Sequence, residues 1–388
     1  MRPRFEVAQL IDRYGKEFIK SHPQPIGKLR TLLAIRDCRT PALGGQQYLC
    51  NCCNKTLFSW HSCRNRHCPK CQATNREKWI WAREQELLPV PYFHVVFTLP
   101  HELNALAIKH PKEVYNALFK AAWNTLNTFG LDHTHLGAQT GMTAVLHTWG
   151  QNLCLHPHLH CIVPGGGLLA NGKWKNSRSE GKYLFPSQAL ARVFRAKYVA
   201  CLRKASIDIP QDVAKVLFDK PWVVYAKRPF AGPKQVVEYL GRYTHKIAIS
   251  NHRIQNIASD GKVTFKWKDY RHANQIKLME LDPKEFLRRF SLHILPAGFV
   301  RIRHYGILSC RNKTTLLNRA KQHFNKPKWQ KPKPEIWKEE VLKRLNINPS
   351  QCPFCKKGEL IPVRSIKPNR GPPTPQQPLK PNLNFYAS

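Results

Sequence analysis

The sequence is short of acid. Only 24 of its 388 residues are Asp or Glu, against 63 Lys and Arg, which leaves a formal net charge of +39. A field so poorly compensated attracts polyanions, nucleic acid first among them. An anionic membrane surface would fit better if the basic residues were gathered in one lysine-rich amphipathic helix, but they are spread along the whole chain. Long apolar runs are missing too: none reaches roughly 18 residues, so no spanning helix is expected. No signal peptide opens the sequence. These absences predict a cytosolic protein with no membrane partner, in a compartment where disulfides are rare. No GxxxxGK[ST] loop occurs, so no nucleotide cofactor is expected. No internal repeat is found, which argues against a solenoid.

What is present has the length for two or three domains and, at 42% hydrophobic residues, the means to bury their cores. "RFEVAQLIDRYGKEFIKS" spaces apolar residues at three and four, so residues 1–37 read as helical. "NREKWIWAREQELLP" reads as a helix ending at Pro89. "YFHVVFTLP" (92–100) is rich in β-branched and aromatic residues and reads as a buried strand. A helical stretch with a break at Pro111 follows. Then come two strands, "MTAVLHTWGQ" and "HLHCIVPGG", joined by a short loop. Residues 187–205 read as a helix, "PWVVYAKR" as a strand, "GPKQVVEYLGRYTHK" (232–246) as a helix and "KVTFKWKD" as a hairpin strand. The Pro-rich end of the chain has the composition of a disordered tail.

The 13 cysteines need an explanation other than disulfides, and seven of them lie between Cys38 and Cys71. "CNCCNKTLFSWHSCRNRHCPKC" contains Cys50-x-x-Cys53 and Cys68-x-x-Cys71, with 14 residues between the pairs. Two such knuckles match a structural zinc site, each turn bringing two thiolates to one ion. Cysteines buried as small hydrophobes would be scattered, and these are not. Cys38, Cys52, Cys63, His61 and His67 are further donors that could complete a second site or exchange into the first. Arg64, Arg66, Lys70 and Arg76 surround the knuckles, which reads either as nucleic-acid binding or as a solvated basic face. "CPFC" (352–355) is a lone knuckle: half a site completed elsewhere, or a turn with two thiols.

"HPHLHCIVPGG" (156–166) alternates three histidines. On a strand they share one face, with neighbours about 6.8 Å apart and the outer two about 13.6 Å apart. Bonds of about 2.1 Å from zinc to nitrogen let two of them share an ion but hardly all three. Pro157 suits the start of a strand, which leaves His158 and His160 as the pair. Two protein nitrogens leave positions open to water and phosphate, as a catalytic metal needs. The structural alternative is a half-buried face filled by imidazoles. In "YLGRYTHK", Tyr239 and Tyr243 stand four apart, so both phenols point the same way. They read either as nucleophiles toward a phosphodiester or as an aromatic core stripe; Arg242, His245 and Lys246 beside them are poor company for a core.

Together these segments resemble the HUH-type, two-tyrosine transposases of bacterial rolling-circle insertion sequences. The likeness is carried by "GGQQYLCNCCNKTLFSWHSCRNRHCPKCQ", "YFHVVFTLPHELN", "HTWGQNLCLHPHLHCIVPGGGL", "YLGRYTHKIAISNHRI" and "VRIRHYGILSCRNK", which span most of residues 38–315. The resemblance implies an α+β fold, an antiparallel sheet with flanking helices preceded by a small zinc-knuckle domain. It implies a helical, zinc-binding, DNA-binding domain at 1–90 and the catalytic domain at 91–255. A basic DNA-contacting region would follow at 256–345, and the lone knuckle with the Pro-rich tail at 346–388. It implies cleavage of single-stranded or hairpin DNA ends and strand transfer through a 5′-phosphotyrosine, in the bacterial cytoplasm at the nucleoid.

By the same likeness, His158 and His160 are ligands of a catalytic Mg²⁺ or Mn²⁺, and Tyr239 and Tyr243 are nucleophiles. Lys246 and Arg242 neutralise the phosphate. For the third ligand, related replication initiators often place an acidic or amide residue about seven positions before the histidine pair, which points to Gln151. Gln235, one turn before Tyr239, is the alternative. Structural Zn²⁺ falls to Cys50, Cys53, Cys68 and Cys71, with Cys38 and Cys63 as further candidates, and Arg64, Arg66, Lys70 and Arg242 face DNA. The rivals are a relaxase or replication initiator of the same chemistry, a zinc hydrolase, and a non-catalytic zinc-finger DNA-binding protein, which would need neither the histidine strand nor the tyrosine helix.

Overall fold

Alternating and helical apolar patterns sort the chain into thirteen strands and ten helices among the described residues. A computed structural model describes residues 3–178, 183–227, 241, 244–270, 272–331 and 336–369. Helices α1 (Val7–Ser21) and α2 (Ile26–Arg36) bury Val7, Leu10, Ile11, Phe18, Leu32 and Ile35. Strands β1 (Gly45–Cys50) and β2 (Thr56–Trp60) form an antiparallel hairpin, and α3 (Gln72–Glu84) starts directly after Cys71. Next come β3 (Tyr92–Thr98), α4 (Asn104–Lys109) and α5 (Pro111–Leu131). Pro111 separates the two helices and sits in the first turn of α5, where no backbone donor is needed.

The chain continues through β4 (Gly141–Trp149), β5 (Leu155–Pro164), β6 (Gly166–Leu168), β7 (Trp174–Asn176), α6 (Ser187–Lys204), α7 (Gln211–Asp219) and β8 (Val224–Lys227). Strands β9 (Ile254–Ile257), β10 (Val263–Asp269) and β11 (Gln275–Leu281) precede α8 (Pro283–Leu292). Strand β12 (Ile302–Gly306), α9 (Asn318–His323), α10 (Ile336–Leu345) and β13 (Leu360–Ile366) complete it.

The central sheet has the order β12-β4-β5-β3-β8, and each of these pairings is antiparallel. Period-two alternation decides its two faces. Phe93, Val95 and Phe97 of β3, Met142, Ala144 and Leu146 of β4, and Leu159, Cys161 and Val163 of β5 enter one core. Helices α5 and α6 cover that face with Val114, Leu118, Ala122, Leu190, Phe194 and Tyr198. Truncating Leu159 there to Ala costs about 2–5 kcal/mol. The residues between, His94 and Val96, Val145 and His147, His158 and His160, are thereby turned to the opposite face. The fold is the expected α+β.

Contacts cross the boundaries of the expected sequential segments. Residues 256–345 are not set apart: β12 pairs with β4 through Ile302–Val145 and Tyr305–Met142. Strand β10 and helix α8 share a core with α1 and α2, in which Phe265, Phe286 and Phe290 meet Leu10, Phe18 and Ile35. Past the lone knuckle, β13 pairs with β1, and the Pro-rich stretch beyond residue 369 lies outside the described residues. Among the described residues, no helix is long and apolar enough to cross a membrane.

Candidate metal centres and nucleophile segment

The β4–β5 hairpin builds the histidine site. Its turn is closed by the Gly150 N–H donating to the Cys154 carbonyl at 2.9 Å. The register then sets His147 directly opposite His158, and Val145 opposite His160. Two imidazoles along one strand and a third across from them meet where three along one strand could not. The ligating nitrogens of His147, His158 and His160 all lie within 4.8 Å of one another. His147 is 2% exposed and His160 8%.

Second partners orient these rings. His158 Nδ1–H donates to the His156 carbonyl at 2.7 Å, which leaves Nε2 as its lone-pair nitrogen. His160 Nδ1 lies 2.8 Å from His94 Nε2, so one of the two donates to the other. Burial pushes the His158 imidazole down to about 4, with His156, His94 and Lys246 adding repulsion. Burial, then His147, His158, His94 and Lys246, push His160 well below its ordinary value. Both rings are therefore neutral near pH 7, the form that binds a metal.

Gln151 has partners of its own. Its side-chain amide donates to the Tyr270 hydroxyl at 3.2 Å, and its carbonyl accepts from Arg253. It lies in the turn beyond β4, whereas His147, four residues earlier on the paired strand, meets the histidine pair. The strand pairing itself was the signal: a short loop between the two strands forces a residue near 147 opposite 158.

Tyr239, Arg242, Tyr243 and Gln235 lie outside the described residues. Their described neighbours are closely held. A Cβ on Gly241 would stand 2.3 Å from Ile80 Cδ1, so a larger residue there would force the Ile80 side chain of α3 to shift. Arg301, 7% exposed, donates to the carbonyls of Thr244 and Lys246. Its own carbonyl accepts from the Leu146 N–H at 3.0 Å, next to His147. Arg301 thus ties residues 244–246, through its guanidinium, to β4 beside His147, through its carbonyl. Lys246 is near enough to repel both His158 and His160, and burial lowers its own pKa. Sequence reading passed over Arg301, since nothing in "VRIRHYG" separates it from Arg303.

The cysteines divide differently from the expected set of Cys50, Cys53, Cys68 and Cys71. Cys68 and Cys71 join Cys38 and Cys63, while Cys50 and Cys53 join Cys352 and Cys355. Sulfur separations are 3.4 Å for Cys38–Cys71 and 3.7 Å for Cys63–Cys71, Cys50–Cys355 and Cys53–Cys352. Tetrahedral zinc with bonds of about 2.3 Å places its sulfurs about 3.8 Å apart, whereas a disulfide needs about 2.05 Å. Both quartets therefore fit a zinc ion. Backbone donors address the sulfurs: Cys63 N–H to Cys38 Sγ and Lys70 N–H to Cys68 Sγ, each at 3.4 Å. Cys52 and His61 are exposed and stand outside both quartets. His67 is buried and accepts from the Leu295 N–H at 3.3 Å.

Of the basic residues assigned to DNA, Arg64 is exposed. Arg66 is turned inward, donating to the Pro296 carbonyl at 2.9 Å and to the Phe299 carbonyl. Lys70 pairs with Glu6 at 2.7 Å. Two of the four therefore brace the zinc module against its neighbours.

Comparison with known proteins agrees with this layout. The chain is 42% identical over 390 residues to "Putative transposase y4qJ" of Sinorhizobium fredii, covering 95% of this chain and 97% of that one. It belongs to the IS91 transposase family. The family model described as "Putative transposase" matches residues 141–315, from β4 past β12, and the "Transposase zinc-binding domain" model matches residues 10–99. The transposase for insertion sequence element IS801 of Pseudomonas savastanoi is 27% identical over 346 residues, covering 84% of this chain and 82% of its own. No solved structure matches the chain.

Proposed function

We propose that this transposase cuts single-stranded or hairpin DNA at the ends of its element by tyrosine attack assisted by a metal ion, and then transfers the cut strand. The observation that carries the reading is the meeting of His147, His158 and His160 on the sheet face opposite the core, beside the segment that Arg301 ties to it. Mn²⁺ or Mg²⁺ bound by these imidazoles would supply Lewis-acid polarisation of the scissile phosphate. Three imidazoles make a softer donor set than carboxylates, which favours Mn²⁺ of the two.

The rest falls to side chains. The hydroxyl of Tyr239 or Tyr243 attacks phosphorus in line and loses its proton to solvent. The bond from phosphorus to the 3′ oxygen breaks, a 5′-phosphotyrosine forms and a 3′-OH leaves. The new ester keeps the energy of the broken bond, so no nucleotide cofactor is required. Lys246, close to His158 and His160, offsets phosphate charge. The second tyrosine cuts the other end or the target, and a 3′-OH then attacks the phosphotyrosine to rejoin the strand. The many Lys and Arg hold the DNA by displacing its counterions.

The test is incubation with labelled single strands carrying the element ends and Mn²⁺, read on a denaturing gel for protein shifted by a covalent DNA strand. Tyr239→Phe with Tyr243→Phe removes only two hydroxyls and abolishes the adduct while DNA affinity stays. An adduct that survives the double change overturns the tyrosine assignment.

A further inference from the structure

The quartet of Cys50, Cys53, Cys352 and Cys355 is built from the two ends of the chain. Cys50 ends β1 and Cys53 lies in the turn to β2; Cys352 and Cys355 stand in the turn before β13. Cys50 and Cys355 are 305 residues apart in sequence, yet their sulfurs are 3.7 Å apart. Strand β13 then runs antiparallel to β1 from Cys50–Leu360 to Gly45–Ile366, making a three-stranded sheet with β2.

Each turn is shaped toward its sulfurs. The Cys52 N–H donates to Cys50 Sγ and the Gly358 N–H to Cys355 Sγ, each at 3.4 Å. The turns are also tied to each other: the Glu359 N–H donates to Asn51 Oδ1 at 2.8 Å, and the Asn51 N–H to the Glu359 carbonyl at 3.1 Å. A Cβ on Gly358 would fall 2.5 Å from Cys52 Cβ and 2.7 Å from Cys50 Sγ, so glycine is required for one turn to close on the other. The match to the zinc-binding domain ends at residue 99 and takes in only half of these four sulfurs.

We propose that these four cysteines hold a second structural Zn²⁺, separate from the one at Cys38, Cys63, Cys68 and Cys71, and that it clasps the carboxy-terminal segment onto the amino-terminal hairpin. Four thiolates select a soft or borderline cation over Mg²⁺ or Mn²⁺, and four protein ligands close the coordination shell, which leaves no position for substrate. The clasp encloses the whole central sheet within one metal-closed loop of chain. The inference does not depend on the cutting chemistry.

Native mass spectrometry of the intact chain should count two zinc ions. Cys352→Ser with Cys355→Ser should leave one, and Cys63→Ser with Cys68→Ser should remove the other. Hydrogen exchange of the 352/355 variant should rise at residues 45–50 and 360–366 and stay unchanged at residues 141–164. The wild-type protein supplies a check that needs no variant. With zinc bound, iodoacetamide should label the exposed Cys52 and spare Cys50, Cys53, Cys352 and Cys355; zinc removal should expose all four. One zinc per wild-type chain, two retained in the 352/355 variant, or labelling of Cys352 and Cys355 in the zinc-loaded protein would overturn the clasp.

Discussion

The histidine site and the cysteine quartets meet the same task, converging donors on a point, in opposite ways. The histidines project from two neighbouring strands whose other face is locked in the main core by Leu146, Leu159 and Cys161. The cysteines sit in turns, and the sulfur sites help to hold those turns in place. Three imidazoles leave coordination positions open; four thiolates leave none. Rigid strands thus support the site proposed for chemistry, and a metal supports the modules proposed to present DNA to it. A metal lost from the first should cost activity and leave the fold, whereas a metal lost from the second should cost the fold of a module.

That contrast can be broken, from the largest effect to the smallest. His160→Ala should lower adduct formation by about a thousandfold or more, since metal activation is worth several kcal/mol, with little change in thermal midpoint. Cys68→Ser should lose one zinc and raise hydrogen exchange across residues 38–75, while the exchange of β3 to β5 holds. A thermal midpoint that drops more for His160→Ala than for Cys68→Ser would reverse the assignment of roles. Gly241→Val should clash with Ile80 and destabilise by about 1–3 kcal/mol, a cost that Ile80→Ala partly relieves in a double-mutant cycle measured by denaturant unfolding.

Arg301→Lys replaces a fork that serves two carbonyls with a single point charge. It should reduce cutting about tenfold or more with DNA affinity unchanged in a binding titration. The smallest effect belongs to the exposed Arg64. Arg64→Ala should reduce the salt slope of DNA binding by about 1 at most and leave stability alone. Arg66→Ala should do the reverse, because its guanidinium is bound to Pro296 and Phe299.

Local pattern made much of this legible. Helical spacing marked α1 and α2, β-branched runs marked β3 and β5, and Pro111 marked the break between α4 and α5. His158 and His160 were visible because alternation alone puts them on one face. His147 was not, since its place depends on which residue of β4 pairs with His158, and a register shift between His147 and Trp149 sets that. The cysteines misled for a related reason. The spacing of two knuckles is a local signal, while the sulfurs are shared out by tertiary contacts: Cys38 follows α2, and Cys352 arrives from the far end of the chain. Arg66 and Lys70 read as DNA contacts because charge is visible in sequence, whereas the Pro296 and Phe299 carbonyls that Arg66 meets and the Glu6 carboxylate that Lys70 meets are not.

The account rests most on His147, and not Gln151, standing with the histidine pair. The direct measurement is covalent adduct formation on a cognate single-stranded end with Mn²⁺, comparing His147→Ala with Gln151→Ala at matched DNA occupancy. His147→Ala should give no adduct, and Gln151→Ala, whose amide donates to Tyr270, should keep most of it. Loss of the adduct in Gln151→Ala with its retention in His147→Ala would contradict the account.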